Sequence, residues 1–319
     1  MRHLTCLLLL AALASADVLV LDGARIHTVT KGTIERGTVV IEKGRIKAVG
    51  KQGEVTIPEG AKVRDCAGLV IIPGLVDTHS HLGVYSRPGV IANSDGNEMT
   101  GPVQSLVRAL DSIHPRDPGI RLARAGGVTT ANIMPGSGNV MGGQTAYVKL
   151  RGKTVEDMLI DLAGGPGGMK MANGENPKRS YGQRRKLAPG TRMKVMALQR
   201  EIFTKAQRYR DERAKGKSER KIELEPVVEI LEKKRTVHFH THRADDILSA
   251  LRLSQEFGFE VVLHHVTEAF LVGGEIAKRG VAVSLTLVDS PGGKPEAINL
   301  DIRNPAWAEK LGVEVALNT

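Results

Sequence analysis

The stretch Ile71-Ile72-Pro73-Gly74-Leu75-Val76-Asp77-Thr78-His79-Ser80-His81 runs from apolar residues through a Pro-Gly pair into two histidines spaced i, i+2. Alternate residues of a β-strand project to one face, so His79 and His81 stand side by side. Neutral imidazoles are strong ligands for zinc and similar divalent ions. A strand that delivers two of them at its C-terminal end suits the mouth of a parallel βα barrel, where active sites gather. The apolar strand, the Pro-Gly lead-in and the acidic Asp77 set this pair apart from a solvated His-X-His turn.

Working outward, residues 17–69 read as short strands broken by glycine: Val18–Leu21, Ala24–Thr28, Gly37–Glu42, Arg45–Gly50 and Lys62–Asp65. Glu42-Lys43-Gly44-Arg45 has the composition of a tight hairpin turn. From Val70 the pattern changes to apolar runs alternating with helical stretches, the signature of βα units around a parallel sheet. Expected strands are Val70–Thr78, Val128–Met134, Thr145–Leu150, Gly168–Ala172, Thr236–His240, Val261–His265, Val281–Thr286 and Val313–Leu317. Expected helices are Pro102–Ser112, Thr191–Lys215, Pro226–Lys234, Asp245–Phe257 and Ala306–Leu311.

At 319 residues the chain can bury a large core, and one barrel with a small appendage fits better than two equal domains. Aromatic content of 3% argues against a nucleic-acid surface built on stacking side chains. The net charge of +10 gathers in Arg192–Lys234, which reads either as a solvated helix face or as a patch for an anionic partner. Arg2, the apolar run Leu4–Leu13 and Ala14-Ser15-Ala16 have the form of a secretory signal peptide, so residues 1–16 are expected to direct export to a secreted or periplasmic location. No other segment is a membrane-span candidate. Cys66 is then the single remaining thiol and reads as a small buried hydrophobe.

Two further histidine clusters close apolar strands. In Val237-His238-Phe239-His240-Thr241-His242 the three imidazoles share one face. His238 lies deeper and His242 falls in the turn, so depth favours His240 as a ligand. In Val261-Val262-Leu263-His264-His265, adjacent residues of a regular strand face opposite sides; one histidine is expected to point inward, and periodicity does not choose which. Lys170 stands alone in Gly168-Met169-Lys170-Met171-Ala172, where a buried ammonium is costly unless modified or paired, for instance with Glu175. The glycine-rich stretches Pro135–Gln144 and Gly164–Gly168 lack the Gly-Lys-Ser/Thr ending of a phosphate loop, and no serine nucleophile elbow is present. They read as βα loops.

These motifs resemble the amidohydrolase superfamily, in the branch similar to imidazolonepropionases and metal-dependent carboxypeptidases. The resemblance covers nearly all of the chain after residue 16. It implies an α/β fold, a (β/α)8 TIM-like barrel over residues 70–319, with an incomplete small β-sandwich part over 17–69. It also implies a centre of one or two divalent ions, zinc by type, held by His79, His81, His240 and His265. Lys170 would bridge two ions, with Lys149 as the alternative. The stretch His240-Thr241-His242-Arg243-Ala244-Asp245-Asp246 matches the family pattern whose first histidine is the ligand, which leaves His242 either supporting the ligands from behind or facing substrate, with Gln144 a second substrate-binding candidate. Thr267-Glu268 following shortly after selects His265, and His264 is expected beneath the helices.

The run Gly312–Thr319 looks like the family's eighth strand. The aspartate that serves there as general base is expected beyond Thr319, so the chain reads as a C-terminally truncated member. The expected chemistry is metal-assisted hydrolysis of an amide or cyclic amide in a small molecule or short peptide. The alternatives are a mononuclear deaminase or cyclic-amide hydrolase, and a non-catalytic barrel scaffold. A homo-oligomer is compatible with all three.

Overall fold

A computed structural model of the chain describes residues 18–160, 165, 167–286 and 294–318. The expected signal segment, Gly164 and Thr319 lie outside the described residues. The chain divides into two compact units between Gly74 and Leu75.

In the first unit, β1 (Val18–His27), β2 (Thr33–Glu42), β3 (Arg45–Lys51), β4 (Lys62–Asp65) and β5 (Val70–Ile71) form one mixed five-stranded sheet, where a sandwich part was expected. β2 and β3 meet at the anticipated hairpin. Lys43 (φ 50°) and Gly44 (φ 73°) are both left-handed, as a two-residue turn matched to strand twist requires. Val20 and Val40 are buried in one cluster, Ala24, Ile26, Val39 and Cys66 in another. The expected strand Val70–Thr78 is two strands: β5 pairs with β1, and Pro73, which has no N–H to donate, stands between it and the next.

The second unit opens with β6 (Leu75–Ser80), α1 (Pro118–Ala125) and β7 (Val128–Ile133), β6 and β7 being parallel. β8 (Met141–Gln144) and β9 (Ala146–Lys149) then run back, β9 antiparallel to β7. A single turn, α2 (Val155–Met158), precedes β10 (Met169–Ala172), which is antiparallel to β8. After α3 (Glu175–Lys178), α4 (Arg192–Ala214) and α5 (Glu225–Leu231) come β11 (Val237–Thr241), α6 (Ala244–Phe257) and β12 (Val261–His265). The chain continues through α7 (Ala269–Lys278), β13 (Ala282–Thr286), α8 (Asn304–Lys310) and β14 (Val315–Asn318). β10 to β14 are parallel neighbours in sequence order.

Among the described residues these strands make two sheets, β6–β7–β9 and β8–β10–β11–β12–β13–β14, and no hydrogen-bonded ladder closes them into the expected barrel. β6 approaches β13 and β14 through Thr78, whose Oγ1 lies 2.6 Å from Ser284 Oγ of β13 and 3.4 Å from the Leu317 carbonyl oxygen of β14. The main core lies between the parallel strands and the later helices, where Phe203 of α4 stacks on Phe257 and Phe259. The exposed cations of α4 are answered locally: Arg200 by Glu256 at 2.8 Å, Lys205 by Glu201 at 2.6 Å and Arg208 by Glu212 at 2.7 Å. These three pairs are solvent-exposed, as on a solvated helix face. Among the described residues no helix is long and apolar enough to cross a membrane.

The expected helix Pro102–Ser112 is corrected. Its backbone is drawn out by β8, Gln104 N donating to Met141 O and Gln144 N to Val107 O, and only Ala109–Asp111 makes a 3-10 turn. α1 was not anticipated, although Asp117 caps it through Gly119 N and Pro118 starts it.

Candidate metal centre

The C-terminal ends of β6, β10, β11 and β12 bring their polar residues together. The His79 ring centroid lies 5.1 Å from that of His81, 4.5 Å from His265 and 4.9 Å from His264. His265 lies 4.6 Å from His240 and stacks on His242 at 4.8 Å. One nitrogen from each of His240, His242 and His265 falls within 4.8 Å of the others, close enough to share an ion. His242 therefore belongs to the tightest imidazole group and is not set apart from it.

His264 overturns the expectation that it packs beneath the helices. It is fully buried among imidazoles, its Nδ1 3.1 Å from His79 Nδ1 and its Nε2 2.9 Å from His238 Nδ1. The alternation argument fails because β12 leaves regular geometry at its last residue. His265 has φ 71° and Val266 φ 44°, left-handed values costly for such residues. This twist turns His265 to the same side as its neighbour.

Hydrogen bonds set the rings. His81 Nδ1 donates to the Met134 carbonyl at 2.8 Å, which leaves Nε2 bare. Nδ1 of His242 and of His265 lie 2.8 Å from Thr267 Oγ1 and Thr286 Oγ1 respectively. His240 Nε2 sits 3.2 Å from Asn176 Nδ2 and 3.7 Å from Glu296 Oε1. Lys170 is wholly buried, its Nζ 3.2 Å from His79 Nε2 and 3.0 Å from Met134 Sδ, with no carboxylate paired to it among the described residues. The pairing with Glu175 is thus not made. Lys149 is exposed and donates to Thr130 Oγ1, and the Gln144 amide donates to Ser105 O, so neither joins the histidines.

Burial, with repulsion from Lys170 and neighbouring rings, holds His79 and His265 well below the usual histidine range; His240 and His264 are held there in the same way. Burial brings His81 to about 4 and His242 to about 3. All are neutral at physiological pH, the form that offers a lone pair. Burial also drives Lys170 well below the ordinary lysine value.

The donor set fits a divalent ion. His240 Nδ1 and His242 Nε2 are buried with no hydrogen-bond partner, and such nitrogens are costly unless something fills them. Sequence reasoning missed Glu296. Its carboxylate accepts from Glu175 N at 2.8 Å over the left-handed Gly174, leaves Oε1 unpartnered beside His240, and is raised by burial to about 7. Nothing in the Lys294-Pro295-Glu296 pattern signals it, since it arrives from a loop.

Two loops, residues 96–101 and 136–139, are tied to each other near the site, Ser137 Oγ accepting from the Asn176 amide that also meets His240. Gly136 N donates to Gly96 O at 2.6 Å, Gly138 N to Asn97 Oδ1 at 2.8 Å, and Asn139 Nδ2 to Gly101 O at 3.0 Å. Beside them a cavity of about 530 Å³ reaches His79, His81 and His265 between Asp77, Tyr85 and Arg87.

No family model matches the chain. It is 32% identical over 260 residues to Amidohydrolase tasK of Hapsidospora irregularis, a match that covers 74% of this chain and 26% of that protein. It is 38% identical over 121 residues to the imidazolonepropionase of Acidiphilium cryptum, covering 34% of this chain and 30% of the relative. The matches therefore span about a quarter to a third of these curated relatives' length. Among solved structures, an amidohydrolase from Thermotoga maritima superposes with a TM-score of 0.88 at 37% identity, over 94% of this chain and 78% of that one.

Proposed function

Because the chain belongs to the amidohydrolase superfamily, we propose that it serves a metal-dependent hydrolase of carbon–nitrogen bonds, acting on an amide or cyclic amide of a small molecule or short peptide. The observation that carries this is the buried group His240, His242 and His265, with two nitrogens lacking partners. We assign His79, His81, His240 and His265 to metal, zinc by the chemistry of imidazole donors, on the strands of a (β/α)8 barrel. When bound, the ion polarises the scissile carbonyl and makes water a stronger nucleophile.

The chain's own residues supply the rest. Lys170, buried and with no paired carboxylate among the described residues, would bridge two ions if its neutral amine added carbon dioxide to form a carbamate, with loss of a proton. His242 orients substrate or completes the cage. Glu296 Oε1, with the carboxyl raised to about 7, is placed to hold a proton beside His240. The cavity walled by Tyr85 and Arg87 admits substrate towards His79 and His81. We also propose that residues 1–16 direct export.

A mononuclear reading is favoured by one feature, that the histidine triad alone offers enough donors for a single ion. Elemental analysis of the dialysed protein, with hydrolysis assays on N-acyl amino acids, dipeptides and cyclic amides, tests both readings. About two metal ions per chain supports the Lys170 bridge and one supports the mononuclear form. Failure to retain any metal, in a folded protein with no turnover, would refute the assignment.

A further inference from the structure

Below the candidate metal centre, three buried imidazoles and a phenol form one hydrogen-bonded column. His79 Nδ1 lies 3.1 Å from His264 Nδ1, His264 Nε2 lies 2.9 Å from His238 Nδ1, and His238 Nε2 lies 2.8 Å from the Tyr147 hydroxyl. All three rings are buried, which favours the neutral form. A neutral imidazole carries one N–H and one bare nitrogen. Each link needs one donor and one acceptor, so the column has two self-consistent arrangements.

In the outward arrangement the N–H groups are His79 Nδ1, His264 Nε2 and His238 Nε2, and the last donates to the Tyr147 oxygen. In the inward arrangement Tyr147 donates to His238, every ring takes its other tautomer, and the final N–H sits on His79 Nε2. The two differ by three tautomer changes and a turned hydroxyl, with no change in net charge. His79 can hold a cation only through a bare nitrogen. Its Nδ1 is engaged with His264, so the available atom is Nε2, which faces Lys170 Nζ at 3.2 Å.

We propose that Tyr147 is a positioning residue that acts through His238 and His264 to keep His79 Nε2 bare, its hydroxyl oxygen being the terminal acceptor of the outward column. This rests on the reading of His79 as a ligand. A cavity of about 230 Å³, lined by Tyr147, His238, His264, Thr78 and Ser284, gives the hydroxyl room to turn its hydrogen away from His238. Without that oxygen the outward arrangement leaves a buried N–H on His238 with no acceptor, a rarer and costlier state than a bare nitrogen. The column then reverses, and a proton occupies the atom that the ion needs.

The test is nitrogen-15 NMR of histidine-labelled, metal-free full chain, followed by zinc titration. In the wild type, His79 should show a protonated Nδ1 and a bare Nε2. In Tyr147→Phe the two should exchange, and zinc should bind about 10- to 100-fold more weakly, the range for residues that orient metal ligands. Ser284→Ala, which alters the same cavity without a hydrogen bond to the column, should change neither reading. Should Tyr147→Phe fold poorly, 3,5-difluorotyrosine at position 147 keeps the shape while making the phenol a better donor and poorer acceptor, and should shift His79 in the same direction. A bare His79 Nε2 in the folded variant, as in the wild type, overturns the proposal. A wild-type chain that binds no zinc defeats the proposed function instead, while the NMR comparison still decides the column.

Discussion

Lys170→Met separates what a buried amine costs the fold from what it does for the site. Methionine has similar length and would meet Met134, whose Sδ lies 3.0 Å from Lys170 Nζ. Replacing a buried ionic group by a matched apolar one is neutral to stabilising by about 1–4 kcal/mol. Losing the donor to His79 Nε2, 3.2 Å away, takes back about 1 kcal/mol. The metal-free variant should therefore be at least as stable as wild type at neutral pH, by about 0–3 kcal/mol, with each kcal/mol moving Tm by about 2–4 °C in a domain of this size. The pH dependence has a definite sign. Burial lowers the folded pKa of Lys170 well below 10.5, so just under that value the unfolded chain holds a proton that the folded chain has released. Wild-type stability then rises with pH through this window, and the advantage of the variant shrinks towards 10.5. Urea denaturation in chelator across alkaline pH measures both. A variant less stable at neutral pH, or an advantage that does not change with pH, would refute the argument, and retained two-metal stoichiometry would remove Lys170 from the bridge.

Gly174→Ala should destabilise the chain by about 1–3 kcal/mol, because φ is 75° and the added carbon collides with Glu296 Oε2; an unchanged denaturation midpoint would remove Glu296 from that seat. The product of a secreting host should begin at Asp17 by N-terminal sequencing, and an intact Met1 in the cytosol would contradict export.

The strands were legible because a buried parallel strand is a short apolar run between turn residues, and Val261–His265 and Val128–Ile133 have few other readings. Pro102–Ser112 misled because its apolar spacing suits a helix, while its backbone bonds are satisfied by β8, a partner invisible to local pattern. β8 itself lies in a glycine-rich stretch that composition assigns to a loop. At the site, strand ends pointed to His79, His81 and His240 as candidates, whereas the choice of His265 over His264 came from the family resemblance and not from periodicity. That His264 and His265 both face inward could not be read, since it depends on the left-handed backbone at His265 that period-two reasoning excludes. Glu296 comes from a loop after β13, where proximity is decided by tertiary path alone.

The two tied loops have a consequence for redesigning selectivity. Asn97 meets Gly136 and Gly138 so closely that a β-carbon at either glycine would press on its amide. Neither segment can be lengthened, exchanged or randomised while the other keeps its native shape, because each supplies the backbone partners of its neighbour. Residues 96–101 and 136–139 are therefore a single graftable cassette. Libraries that vary one strip alone should disturb the other more often than libraries that vary the two together.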